Sequence, residues 1–195
     1  MANFKTPILI SALGKNASST ISRLAFHTPY GLVVEETADG VFDVRLSNPP
    51  SNSEQATKSN PSQPGYRYYF WPDYQLAFVF YELDWAGNPE DESHVDDEVL
   101  EERYGKVWFQ ALDDWVKRYE QAFEREDCKP DSHEALFPDP TDRLAWDLDR
   151  VLLAAWLALQ PGVDSVEVQD DGGRKELLLE KEGIGETLGT YLRGL

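Results

Sequence analysis

Apolar and polar side chains alternate in the N-terminal part of the chain, and this pattern predicts strands. From Phe42 to Leu46, apolar residues alternate with Asp43 and Arg45, as in a strand with one buried and one solvated face. Residues 31–36 form an earlier strand segment with three apolar side chains at 32–34, and an Asp-Gly dipeptide of the kind found in tight turns lies between the two segments. We therefore expect a β-hairpin over residues 31–46.

Two further hairpins are predicted, over residues 66–83 and 163–180. Residues 66–71 and 74–83 are almost entirely apolar or aromatic, a pattern typical of a central strand with both faces covered. Pro72 lies between these two runs and is expected in the turn, because proline lacks the N–H that a sheet ladder needs. In the third hairpin, an Asp-Asp-Gly-Gly segment provides the turn.

Helical periodicity predicts three helices in the middle of the chain. The first, about 93–104, begins with a Ser that is followed three residues later by an acid, as in a capping box. The third, about 140–160, has Asp139 as its N-cap and Pro140 in its first turn. The second, about 107–124, carries an apolar and aromatic stripe at three- and four-residue steps, formed by Trp108, Leu112, Trp115, Tyr119 and Phe123.

The order of these elements, strands then helices then strands, indicates an α+β fold. We expect a mainly antiparallel sheet of about six strands packed against three helices, with a short final helix or coil from about Glu186. Residues 47–65 contain four Pro and five Ser and almost no aliphatic side chain, so we expect a mobile loop there. A length of 195 residues fits a single domain over residues 1–195.

Charge is unevenly distributed along the chain. The formal net charge is −18, and residues 82–149 hold 22 acidic against seven basic side chains, whereas residues 1–81 are balanced. Such a block repels nucleic acid and anionic membranes and attracts cationic partners. Direct nucleic-acid binding and membrane binding are therefore excluded, and a basic protein is the expected partner.

The acidic block is densest between Glu82 and Glu102. In the predicted helix 93–104, Val95 and Val99 face inward, so that the acids three and four residues apart share the outward face. The candidate partner-binding residues are Glu82, Asp84, Glu90, Asp91, Glu92, Asp96, Asp97, Glu98, Glu101, Glu102 and Tyr104. The competing interpretation is a solvated surface whose charge only aids solubility.

Catalytic and metal signatures are weak. His94 with Asp96 and Asp97, or the acidic pair at 170–171, could ligate a hard cation, but neither matches a known ligand spacing. Cys128 and His133 are only five residues apart in a polar stretch, so a catalytic pairing is not expected. The glycines of residues 183–189 do not fit a phosphate-binding pattern and are interpreted as a loop or turn. We expect no catalytic residue, metal or cofactor.

These properties together favour an acidic inhibitor that binds one basic protein. The nearest class is an immunity protein that neutralises a cationic bacterial toxin, a nuclease-like effector, by stoichiometric binding. Because Cys128 is the single cysteine and cannot form an intramolecular disulfide, a reducing, cytoplasmic location is expected. The alternatives are a DNA-mimic inhibitor, a hydrolase that uses paired carboxylates, and an acidic accessory subunit. The sequence leaves the oligomeric state open.

Overall fold

The structure, a computed structural model, describes residues 8–9, 24–47, 65–71, 79–83, 89–124, 137–169 and 175–194. The predicted loop over 47–65 lies outside the described residues, apart from its two ends. In chain order the elements are β1 (Ile8–Leu9), β2 (Ala25–His27), β3 (Leu32–Glu36), β4 (Phe42–Leu46), β5 (Tyr66–Trp71), β6 (Val79–Leu83), β7 (Pro89–His94), α1 (Asp97–Tyr104), α2 (Lys106–Phe123), α3 (Pro140–Ala158), β8 (Val163–Gln169), β9 (Lys175–Glu180) and α4 (Ile184–Gly194).

The strands form two sheets, so the prediction of one sheet of about six strands is wrong. One sheet has the order β1-β2-β3-β4 and the other has the order β7-β6-β5-β8-β9. The fold is nevertheless α+β and mainly antiparallel, because among the described strands the pairing of β5 with β8 is parallel and every other pairing is antiparallel. Periodicity along one strand reports how its faces are buried, but it does not identify the neighbouring strand.

All three predicted hairpins are present. β3 pairs with β4 from Leu32↔Leu46 to Glu36↔Phe42, β5 pairs with β6, and β8 pairs with β9. The apolar β5 occupies the centre of its sheet, between β6 and β8, which agrees with its apolar sequence. The predicted turn at Pro72 lies outside the described residues.

Two of the predicted helices are found within two residues of their expected ends. α2 and α3 correspond to the predictions over 107–124 and 140–160. The carboxylate of Asp139 accepts the N–H of Thr141 at 2.8 Å and caps α3 as expected. The helix predicted over 93–104 begins four residues later, at Asp97, and its N-cap is Asp96 rather than Ser93.

The reason for the later start is that residues 89–94 pair with β6 and form the edge strand β7. This segment is charged and carries Pro89, and natural sheets use such residues on an edge to discourage pairing with other chains. A capping-box pattern is short enough to occur in a strand, and here the pairing with β6 determines the conformation.

The helices pack tightly through aromatic side chains. The indole N–H of Trp115 donates to the carbonyl oxygen of Trp146 at 3.0 Å, that of Trp146 donates to the carbonyl oxygen of Trp115 at 3.3 Å, and the two rings stack. Residues 151–158 of α3 are buried on every side, as their uniformly apolar sequence predicts. The predicted aromatic stripe of α2 is core, with Trp108, Trp115 and Tyr119 all buried.

The C-terminal helix α4 contacts both sheets, through β4 and β9. It contains Gly185 and Gly189, while Gly183 lies in the turn just before it, so the interpretation of residues 183–189 as a loop or turn is wrong from residue 184 onward. A Cβ at Gly185 would lie 2.2 Å from the carbonyl oxygen of Phe42, and one at Gly189 would lie 2.7 Å from the Phe42 ring. These glycines, one helical turn apart, let α4 approach β4 closely.

Candidate functional site

The helix α1 presents a set of carboxylates to solvent. Leu100 is fully buried and Val99 packs against the core, while the acids occupy the other side of the helix. We call this surface the acidic face; its residues are Asp96, Glu98, Glu101 and Glu102, which are exposed, and Asp97, which is partly exposed. The predicted outward placement is confirmed for Glu98, Glu101 and Glu102. Val95 is buried as expected, although it lies before α1 and not within it.

The remaining predicted acids are not on this helix. Glu90, Asp91 and Glu92 belong to the edge strand β7, and Glu82 belongs to its neighbour β6. Asp84 lies outside the described residues. The acidic segment is therefore divided between the edge of a sheet and the helix that follows it, and α1 alone carries the described face.

Tyr104, the last predicted site residue, belongs to a hydrogen-bonded aromatic cluster at the end of α1. Its hydroxyl lies 2.7 Å from that of Tyr68, and Arg103 Nη1 donates to the Tyr68 hydroxyl at 3.0 Å. The Arg103 guanidinium lies over the ring of Tyr66, 4.3 Å from its centroid. Burial, followed by the neighbouring Tyr68, raises the pKa of Tyr104, so its hydroxyl stays protonated.

A cleft of about 480 Å³ opens beside the acidic face. Its lining comes from three parts of the chain. These are the turn at 28–31 between β2 and β3 with residues 46–47 at the end of β4, residues 102–105 with Val107, and Trp156 of α3 with Gln160 just after that helix. Gly105 has a φ of +86°, a conformation that glycine adopts readily, and it turns the chain from α1 into α2 at the cleft.

Three aromatic rings contribute to the cleft. The ring of Tyr30 lies 6.2 Å from that of Trp156 at an interplanar angle of 87°, and the ring of Tyr104 lies 6.5 Å from it at 86°. The indole of Trp156 is also stacked on the buried Trp108. Two rings therefore stand perpendicular to a third whose position is fixed by the core.

An ion pair lies close to Tyr30. Arg118 of α2 and Asp149 of α3 form a hydrogen-bonded pair between the two helices, with side chains that are 25% and 19% exposed. Burial raises the pKa of the Asp149 carboxyl, although Arg118 acts in the opposite direction. Burial and the nearby Asp149 also raise the pKa of Tyr30. The Tyr30 hydroxyl therefore stays protonated.

A second charged cluster, which the sequence reasoning missed, lies between α3 and the strands β8 and β9. Arg150 is 3% exposed, donates to the carboxylate of Glu176 at 2.6 Å and also donates to the backbone carbonyl of Gln169. Burial and the nearby Glu176 raise the pKa of Tyr191 to about 12. The sequence feature that could have identified this cluster is a single Arg directly before the apolar run of residues 151–159. The deep burial of Arg150 indicates a structural role.

The metal and nucleophile candidates receive no support from the described geometry. Within the described ranges, no group of three or more His, Cys, Asp or Glu side chains is arranged to hold a metal ion. His94 lies at the end of β7, while Cys128, His133 and the acids at 170–171 lie outside the described residues. None of the helices that the structure describes is both long and apolar enough to span a membrane.

Comparison of the chain with protein-family models, with curated proteins and with solved structures gave no match.

Proposed function

We propose that this protein is a stoichiometric inhibitor that binds one basic protein through the acidic face. The proposed class is that of a cytoplasmic immunity protein, whose partner is a cationic toxin such as a nuclease-like effector. The observation that supports it is the exposure of Glu98, Glu101 and Glu102 on two turns of one helix. Like charges at this spacing destabilise a helix slightly, by about 0.2–0.5 kcal/mol per pair, and a basic partner would relieve that repulsion.

The surroundings of the acidic face suit a protein interface. Val107 is 62% exposed and Tyr66 is 41% exposed, although both are large apolar or aromatic side chains. Val107 lies on the cleft that Glu102 also lines, and Tyr66 lies beneath the guanidinium of Arg103. An interface typically combines a few aromatic or apolar contacts with a charged rim. In this arrangement the carboxylates would speed association and the apolar contacts would slow dissociation.

The experiment that tests the proposal is affinity capture from a lysate of the source cells with two charge-matched variants. One variant reverses the acidic face with Asp97→Lys, Glu98→Lys, Glu101→Lys and Glu102→Lys. The other reverses four exposed acids elsewhere, at Asp114, Glu124, Glu180 and Glu182. Both variants change the net charge equally, so any difference between them reports the location of the charge.

We expect the wild-type protein and the second variant to retain the same basic protein in a 1:1 ratio at high salt. The first variant should lose it, while its circular dichroism spectrum and melting temperature show that it is folded. The captured protein should lose its own activity on binding. Equal loss by both variants, or the release of many basic proteins together at modest salt, would contradict the proposal.

A further inference from the structure

We infer that the cleft beside the acidic face binds an arginine side chain of the basic partner. This inference rests on the proposed function, because the arginine is taken to belong to the protein that the acidic face attracts. It adds a specific subsite to that function, with Glu102, Tyr104 and Trp156 as the residues that recognise the side chain.

The aromatic walls favour a flat cation. Tyr30 and Tyr104 stand perpendicular to Trp156, and all three residues line the space between residues 28–31 and 102–105. A guanidinium group stacks on aromatic rings and is attracted by their negative faces, more strongly where water is excluded. The ring of Trp156 is held in place by Trp108, so this wall of the cleft is preformed.

Glu102 supplies the opposite charge. It lines the cleft from the last turn of α1, whereas Glu98, one turn earlier on the same helix, does not line it. Arg103 also lines the cleft, but its guanidinium lies over the Tyr66 ring and donates to the Tyr68 hydroxyl. Arginine pairs especially well with a carboxylate, because its planar guanidinium can donate two parallel hydrogen bonds to it. Lysine does not reproduce this geometry.

The size of the cleft fits a side chain that enters with part of its backbone. Its volume of about 480 Å³ lies within the range of ordinary ligand sites, about 300–1,000 Å³. Val107 at the rim is mostly exposed and would cover the aliphatic part of an inserted side chain. An inserted arginine would then become a central contact of the interface, with the acidic face around it.

The test is an NMR titration of the full chain with N-acetylarginine amide, a probe that needs no knowledge of the partner. The control probe is N-acetylcitrulline amide, which has nearly the same shape but no charge. We expect saturable shifts of the Gly31 and Gly105 amides and of the Trp156 indole N–H. The citrulline probe should bind at least about tenfold more weakly.

Two matched variants on α1 separate the cleft from its surroundings. Glu102→Gln should weaken binding of the arginine probe several-fold, because it removes the carboxylate from the cleft. Glu98→Gln removes one charge from the same helix but outside the cleft, and it should leave the binding nearly unchanged. Both residues are exposed, so both variants are expected to fold.

Three results would overturn the inference: shifts that never saturate, equal binding of the two probes, or equal effects of the two variants. Saturable binding of acetate at the Lys106 and Val107 amides would also overturn it, because α2 begins at Lys106 without a side-chain cap and its N-terminus would then be the binding element. Failure of the partner capture with success of this titration would contradict the proposed function alone. Success of the partner capture with failure of this titration would contradict the arginine subsite alone.

Discussion

At the scale of single residues, Arg150 shows how a charge is accommodated in the interior. Its guanidinium donates to Glu176 on β9, to the carbonyl of Gln169 on β8 and, at 3.4 Å, to Asp147 on its own helix. A buried ion is tolerated only when such partners compensate for the water it has lost. Arg150 therefore connects α3 to two strands that follow it in the chain.

Substitution of Arg150 should consequently be far more damaging than substitution of a surface cation. We expect Arg150→Met to lower the free energy of unfolding by about 3 kcal/mol, because it leaves a buried carbonyl and a carboxylate without their donor. Adding Glu176→Leu should restore part of this loss. Lys117→Met, which removes an exposed pair with Asp113, should have a much smaller effect in the same urea titrations. Similar effects of the two single substitutions would contradict this account.

Asp149 gives a prediction about pH. Because burial raises its pKa above the ordinary value of 3.8, the folded protein holds a proton there that the unfolded chain has already released. The stability contributed by this group is therefore full at low pH and decreases as the pH rises through the folded pKa. The unfolding free energy of the wild type minus that of Asp149→Asn should fall from about pH 3.8 upward and then level off. If this difference in unfolding free energy instead rose with pH, the ion pair with Arg118 would outweigh the effect of burial on the pKa of Asp149.

At the scale of elements, α4 depends on two positions without a side chain. Gly185→Ala and Gly189→Ala would place a methyl group against Phe42, so we expect each to destabilise the fold by about 1–3 kcal/mol. Gly194→Ala is the matched control in the last turn of the same helix, where a Cβ meets no atom within 4 Å. It should be neutral or stabilising by up to about 1 kcal/mol, because alanine favours helix. Thermal melts of the three variants test this contrast.

The same elements show what the sequence could predict. The ends of α2 and α3 were predictable because an aromatic stripe and an Asp-Pro start are local signals. The edge strand β7 was not predictable, because its conformation depends on pairing with β6 and its own charged residues do not favour a strand. The glycines of α4 looked like a turn because the reason for them, the carbonyl of Phe42, is about 140 residues away in the chain. The acidic face was predictable in composition, but the cleft beside it was not.

At the scale of the whole molecule, a net charge of −18 produces repulsion that the fold must tolerate. Raising the salt concentration from about 0.01 M to 0.1 M shortens the screening length from about 30 Å to 10 Å. We expect the melting temperature to rise by several degrees, since about 1 kcal/mol corresponds to about 2–4 °C for a chain of this size. The fourfold lysine variant of the acidic face should show a smaller rise. A melting temperature independent of salt would contradict this expectation.

The parallel pairing of β5 with β8 also constrains the order in which the molecule is made. The N–H of Gly65, just before β5, donates to the carboxylate of Asp164 in β8, 99 residues later. A ribosome that adds about 5–20 residues per second needs about 5–20 s to synthesise the intervening chain. Throughout that interval the nascent β5 has one edge open to other strands. The residues added meanwhile include the most acidic part of the chain, and their mutual repulsion opposes aggregation until β8 emerges.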